Sequence, residues 1–314
     1  MVNYEVVEEK KLTKNDFAIA GAFSGFMTRG LCQPLDVLKI RFQLQVEKIA
    51  HHHEGKYKSI LHAIQLMIAE EGFLSLWKGH VPAQWLSVVY GMAQFWCFES
   101  LTSITRRTPH LQNHKHISNF ACGAISGGVA TLSSFPFDVI RTRLIAQGEE
   151  HKLYSGFIHC SYHIIRHEGV PVLFRGLLPT FIQVVPYAGV QFMSYKFFVN
   201  IFKSLMGSKE KDYSFSSSLT AGSIAGLFAK IAVYPLDVTK KRLQIQGIEH
   251  IRKPFGKVFS CQGMMDCIRK IYAIEGVIGF YKGLNPSLLK AVVTSGMYFA
   301  TYELMCKIIV DLKS

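Results

Sequence analysis

Six long, mostly apolar stretches alternate along this chain with shorter segments rich in lysine and arginine. The stretches cover residues 15–46, 80–105, 115–147, 177–205, 214–246 and 284–311, and each is predicted to be a helix. Segments 192–202 and 292–299 are apolar on most sides, whereas a helix with one face in water keeps a polar stripe. None of the stretches reaches about 18 uninterrupted apolar residues, the length at which hydropathy alone marks a membrane span. Two architectures therefore stay open at this point, a membrane bundle and a soluble array of helical repeats.

The pattern is written three times. Pro34-x-Asp36-x-x-Lys39-x-Arg41 returns as Pro136-x-Asp138-x-x-Arg141-x-Arg143 and again as Pro235-x-Asp237-x-x-Lys240-x-Arg242, about a hundred residues apart each time. Each copy has a second half at constant spacing. Glu71-Gly72 precedes Trp77-Lys78-Gly79, Glu168-Gly169 precedes Phe174-Arg175-Gly176, and Glu275-Gly276 precedes Tyr281-Lys282-Gly283. The repeats run over 13–106, 114–205 and 214–310 of one unit, 1–314. Each reads as a long helix, a short helix starting near Ser59, Gly156 or Gly263, and a second long helix. A proline inside a helix removes a backbone hydrogen bond and kinks it, so the three first helices converge at one end. Upstream of each proline stands a G-x-x-x-G: Gly21 and Gly25, Gly123 and Gly127, Gly222 and Gly226. In lipid this spacing lets helix backbones approach closely. In a soluble helix each glycine would cost about 0.5–1 kcal/mol, so the membrane architecture is favoured.

Composition narrows the picture further. Net charge is +13 with pI about 9.4, which suits nucleic acid, anionic lipid or an anionic substrate. The basic residues concentrate in the connecting stretches, without an RNA-binding or finger motif, so no nucleic-acid partner is expected. Lysine- and arginine-rich loops on one side of a membrane fit the positive-inside tendency. The seven cysteines include no C-x-x-C pair, which argues against a disulfide framework and against structural zinc. His51-His52-His53 is read as a solvated loop, so no metal is expected. Glu5, Glu8 and Glu9 at the N-terminus fit neither a secretory signal nor a transit peptide.

The tripled Pro-x-Asp-x-x-basic-x-basic with its acid-Gly and aromatic-basic-Gly halves resembles the mitochondrial carrier family, over nearly the whole chain. The resemblance implies an all-α membrane protein of the mitochondrial inner membrane. Six transmembrane helices would form three pseudo-symmetric two-helix repeats, each with a short matrix helix, in a monomer working by alternating access. It implies that cardiolipin, a structural lipid, sits at the helix N-termini near Gly79, Gly156, Gly176, Gly263 and Gly283, where free N–H groups favour an anion. Without the resemblance those turns read equally well as ordinary caps.

Carboxylates within a membrane are expensive unless paired. Three-fold symmetry offers Asp36 the partner Arg141, Asp138 the partner Lys240 and Asp237 the partner Lys39, and in the family such a ring closes the matrix end. Gln43 and Gln244 stand where carriers brace that ring; the second repeat has Ile145 there, so two braces are expected. The cytosolic gate departs from the family's aromatic-acid-x-x-basic pattern. Glu99 and Glu303 keep the acid, Lys196 replaces the third, and no expected cation follows, which predicts a weak gate on that side with Lys196 bridging to a glutamate.

Symmetry fails at mid-helix, where an asymmetric ligand should bind. Arg29, Lys230 and Lys290 are expected there as cations without an adjacent acid, which suits a polyanion. Gln183, Gln94, Gln191, Tyr187 and Tyr90 form an uncharged wall that could hold a heteroaromatic ring. Together they suit a small anionic diphosphate with an aromatic head, which thiamine pyrophosphate is; a finer resemblance within the family, carried by residues 39–45, 77–84, 186–189 and 240–244, makes it the expected substrate, exchanged for nucleotides. A carrier of nucleotides, deoxynucleotides or another phosphorylated cofactor is the alternative. No P-loop, nucleophile elbow or metal-ligand spacing supports an enzyme, and no catalytic residue or resident cofactor is expected.

Overall fold

The computed structural model describes residues 12–46, 56–107, 115–149, 152–206, 215–248 and 259–313. The histidine run 51–53 and the acids at positions 5, 8 and 9 lie outside them. Nine α-helices follow one another among the described residues: α1 Lys14–Leu44, α2 Ile60–Glu71, α3 His80–Arg107, α4 Lys115–Ala146, α5 Phe157–His163, α6 Leu177–Met206, α7 Phe215–Gln244, α8 Met264–Glu275 and α9 Leu284–Lys313. The six long helices fall where the sequence pattern sets them. The short helices α2, α5 and α8 begin directly after Ser59, Gly156 and Gly263. Only Ser59 caps its helix with a side chain, accepting from the His62 N–H at 3.2 Å.

Pro34, Pro136 and Pro235 lie inside α1, α4 and α7. The extensive packing is between repeats rather than within them: α3 lies along α4, α6 along α7, and α9 along α1. The bundle is therefore three helix pairs. Its apolar core sits at the kinked end, where Leu38, Phe42 and Leu44 pack with Tyr57, Met67, Ile145, Tyr154 and Ile164. Burying a side chain such as Met67 contributes about 1.5–3 kcal/mol. Elsewhere the bundle turns its large apolar groups outward: Ile117, Phe120, Phe95 and Val185 are each at least 70% exposed. Exposure on that scale suits lipid, not water. Helical stretches Ile117–Ala146, Val170–Ser204 and Thr220–Gln244 are long and apolar enough to cross a membrane.

The G-x-x-x-G expectation is corrected. A methyl group at Gly25, Gly123, Gly127, Gly222 or Gly226 would meet no atom within 4 Å, and at Gly21 only Tyr298 Oη at 3.8 Å. Close backbone approach occurs instead at the glycines opening α3, α6 and α9. Gly79, Gly176 and Gly283 have φ of +73°, +89° and +79°, and a Cβ there would stand 3.1, 3.0 and 2.9 Å from the carbonyls of Arg141, Lys240 and Lys39. Each of these carbonyls belongs to a residue of the Pro-x-Asp-x-x-basic motif in the following first helix. The two half-motifs of the sequence thus interlock across repeats.

Candidate functional site

At the kinked end, α1, α4 and α7 meet in a ring of ion pairs. Asp36 pairs with Arg141 at 2.6 Å, Asp138 with Lys240 at 2.9 Å and Asp237 with Lys39 at 3.2 Å, the three partnerships expected from symmetry. Each carboxylate also holds a second cation. Lys290 reaches Asp36 at 2.5 Å, Lys241 reaches Asp138 at 2.9 Å and Lys230 reaches Asp237 at 2.7 Å. This corrects the reading of Lys230 and Lys290 as cations without an acid. Lys230 lies two helical turns before Asp237 on one face of α7, so its flexible stem spans the gap. Lys290 crosses from α9 to α1.

Of the two expected braces, Gln244 is in place. Its Nε2 donates to Asp138 at 2.8 Å, and its Oε1 accepts from Lys241 at 2.9 Å and Thr142 at 2.7 Å. Gln43 makes no hydrogen bond to Lys39 or Asp237, and its buried amide lies beside the Tyr234 hydroxyl instead. Its Cγ lies 3.0 Å from the Cβ position of Gly283, much as the Cγ of Gln244 lies 3.3 Å from that of Gly176. The residue before each kink proline, which the sequence did not single out, supports the ring instead. Gln33 Oε1 accepts from Arg141 at 3.2 Å, Lys240 Nζ lies 5.2 Å from the Phe135 ring and Lys39 Nζ 5.9 Å from that of Tyr234. Cation–π contacts of this kind are worth about 0.5–2 kcal/mol.

A second ring lies outside the first. Arg41, Arg143 and Arg242 bind Glu71, Glu168 and Glu275, with Arg41 gripping both oxygens at 2.5 and 2.6 Å. Each arginine Nε also donates to the end of the next first helix: Arg41 to Ile145 O at 3.2 Å, Arg143 to Gln244 O at 3.1 Å and Arg242 to Gln43 O at 3.1 Å. The paired motif halves are thus one cyclic latch. Burial pushes the Glu71 carboxyl up, but its bonds to Arg41 and Lys78 outweigh that and hold it below the usual carboxylate range. Burial pushes the Tyr154 hydroxyl, which accepts from Arg143 Nη1 at 3.2 Å, up to about 12.

Beyond the ring, toward the opposite end, Arg29 donates to Ala83 O at 2.8 Å and forms no ion pair among the described residues. Gln183 Oε1 is buried without a partner. Gln191, Tyr187 and Tyr90 are half-buried on α6 and α3, and Gln94 is exposed. Tyr298, at the height of Gln94 and Gln191 in the repeat, stacks on Tyr302 with centroids 6.3 Å apart. The expected bridge from Lys196 to a glutamate is absent. Glu99, Lys196 and Glu303 are all exposed, with no ion pair among the described residues. Asp16 at the start of α1 instead pairs with Lys313 at the end of α9. One end of the bundle is thus tied by two charged rings, whereas among the described residues the Asp16–Lys313 pair joins helices at the other.

The sequence model of the family described as mitochondrial carrier protein matches residues 14–108, 112–205 and 211–313. The chain is 43% identical to the mitochondrial thiamine pyrophosphate carrier of Homo sapiens, covering 98% of this chain and 97% of that protein. It is 42% identical to the protein of the same name from Bos taurus, over 98% and 96% respectively. A mitochondrial thiamine diphosphate carrier of Zea mays is 36% identical over 91% of each chain. The tripled motif, the all-helical three-pair bundle and these near-full-length likenesses agree: the chain belongs to the mitochondrial carrier family, as a multi-pass transporter of the mitochondrial inner membrane and not an enzyme.

Proposed function

We propose that the chain carries thiamine pyrophosphate across the inner membrane by alternating access, in exchange for a nucleotide. The observation that carries this reading is that three cations adjoin the inner ring, Lys230 on Asp237, Lys290 on Asp36, and Arg29 within electrostatic reach of Asp36 and Asp138. Arg29 forks phosphate oxygens, and the two lysines act as point charges. The likeness to proteins named for thiamine pyrophosphate selects among phosphate esters, and Gln183, with an unpartnered buried oxygen, suits the polar edge of an aromatic head group. Gln94, Gln191 and Tyr187 complete that wall.

Asp36, Lys39, Asp138, Arg141, Asp237 and Lys240, braced by Gln244, act as the matrix gate; Glu99, Lys196 and Glu303 belong to the cytosolic one. Lys230 and Lys290 serve site and gate together. A diphosphate competes with Asp237 and Asp36 for these two ammonium groups, so occupancy and gate are thermodynamically linked. The open faces at Gly25, Gly127 and Gly226 leave room for the long helices to close at the cytosolic end while the ring parts. Cardiolipin phosphates at the N–H groups after Gly79, Gly156, Gly176, Gly263 and Gly283 complete the reading, which has the chain working as a monomer.

Thermal unfolding of purified protein with added ligands tests the substrate. Thiamine pyrophosphate should raise the melting temperature with concentration, thiamine should not, and Arg29→Ala should abolish the shift. A shift with nucleoside diphosphates alone would replace this substrate by the nucleotide alternative.

A further inference from the structure

The three seams of the inner ring are not equivalent, and the difference lies in where each second cation comes from. At Asp36 it is Lys290 of α9, the helix packed along α1; at Asp237 it is Lys230 of α7 itself. Both belong to the same helix pair as the carboxylate they hold, so they tie nothing across a seam. They also draw carboxylate charge away from the partners that do cross, Arg141 and Lys39. At Asp138 the second cation is Lys241 of α7, from the facing helix pair.

Lys241 fills the variable position between the two motif cations. Ile40 and Thr142 stand there in the other repeats. Its ammonium is buried against Asp138, Thr142 Oγ1 and Gln244 Oε1, each at 2.9 Å. With Lys240 on Asp138 and Gln244 donating to the same carboxylate, three side chains of α7 grip one aspartate of α4. Among the described residues, each of the other two seams of the inner ring is crossed by one ion pair, with Gln33 of α1 also accepting from Arg141 of α4.

We propose that Lys241 makes the α4–α7 seam a hinge: the gate parts along both sides of α1 while α4 and α7 stay together. Lys241 is then a positioning residue, touching the gate and not the substrate. The proposal rests on the alternating-access reading above. A single pair in a partly dry site separates more readily than a network whose members satisfy one another.

The test uses distances between spin labels at Leu61, Ile158 and Met265, matching exposed positions in α2, α5 and α8, each changed to cysteine two at a time. The partly exposed Cys261 and Cys306 would be serine, and the full chain would sit in liposomes. On adding thiamine pyrophosphate, the 61–158 and 61–265 distances should lengthen by several ångström, and 158–265 by less than half as much. Lys241→Met should remove that difference, and Lys241→Arg should restore it. Equal lengthening of all three distances in the otherwise unaltered chain would overturn the hinge and leave the transport reading standing. No change in any distance would overturn the transport reading, and the hinge with it.

Discussion

Replacing Gly283 by alanine strikes the point where the half-motifs interlock. The backbone there has φ of +79°, and the new methyl carbon would stand 2.9 Å from Lys39 O, 3.0 Å from Gln43 Cγ and 3.1 Å from Tyr234 Oη. Left-handed backbone at a residue with a Cβ costs about 1–2 kcal/mol. Forcing a methyl group into a packed contact costs about 1–3 kcal/mol more, and here one neighbour is main chain and cannot swing aside. The sum is about 2–5 kcal/mol, a fall in melting temperature of about 5–15 °C for a chain of this size. The displaced carbonyl belongs to Lys39, so the Lys39–Asp237 pair should loosen as well. Gly25→Ala is the control: no atom lies within 4 Å, and removing a mid-helix glycine should leave stability unchanged or raise it by about 0.5–1 kcal/mol. Melting curves in detergent, read by tryptophan fluorescence, compare the two. If Gly283→Ala melts with Gly25→Ala, the interlock is not what holds the kinked end together.

Glu71→Gln leaves the buried Arg41 guanidinium without its charge partner and should cost about 3–5 kcal/mol, read from the same curves. Because the Glu71 pKa is depressed on folding, its contribution is fully present above the unfolded value of about 4.3 and is lost as pH falls through the folded one. The gap between wild type and Glu71→Gln should therefore be flat from pH 5 to 8 and narrow in acid. Burial pushes the Cys160 thiol up to about 12, so at pH 8 iodoacetamide should leave it unlabelled by mass spectrometry until the protein is unfolded. Lys230→Gln and Lys290→Gln should each weaken thiamine pyrophosphate binding and also shift the open–closed balance of the gate, whereas Arg29→Ala should weaken binding without shifting the apo balance. Ligand titrations alongside the spin-label distances separate the two effects.

Much of this arrangement is legible in the sequence because a tripled motif carries its own contact map. Pairing Asp36 with Arg141 required only that like positions in successive repeats meet. The departures have local causes. Lys230 looked unpaired because its acid is seven residues ahead, and seven residues is two turns, the same helix face. Lys290 meets Asp36 within the helix pair that the last helix forms with the first, which no linear spacing encodes. Gln43 matches Gln244 in the motif, yet of the two only Gln244 bonds to a ring aspartate, and nothing in the motif spacing separates them. Lys241 escaped because the motif counts that position as free; the signal was a third cation in one repeat only. The Arg41–Glu71 latch was written in the spacing of the two half-motifs, but reading it needs the fold of the loop between them.

Uptake of labelled thiamine pyrophosphate into liposomes carrying the purified protein tests the central claim most directly. Vesicles would be loaded with nucleotide, with thiamine pyrophosphate or with buffer, and Arg29→Ala would run beside the wild type. The account predicts rapid uptake into both loaded sets, little into empty vesicles, and loss of uptake in the variant. Uptake that ignores Arg29, or movement of nucleotides without thiamine pyrophosphate, would contradict it.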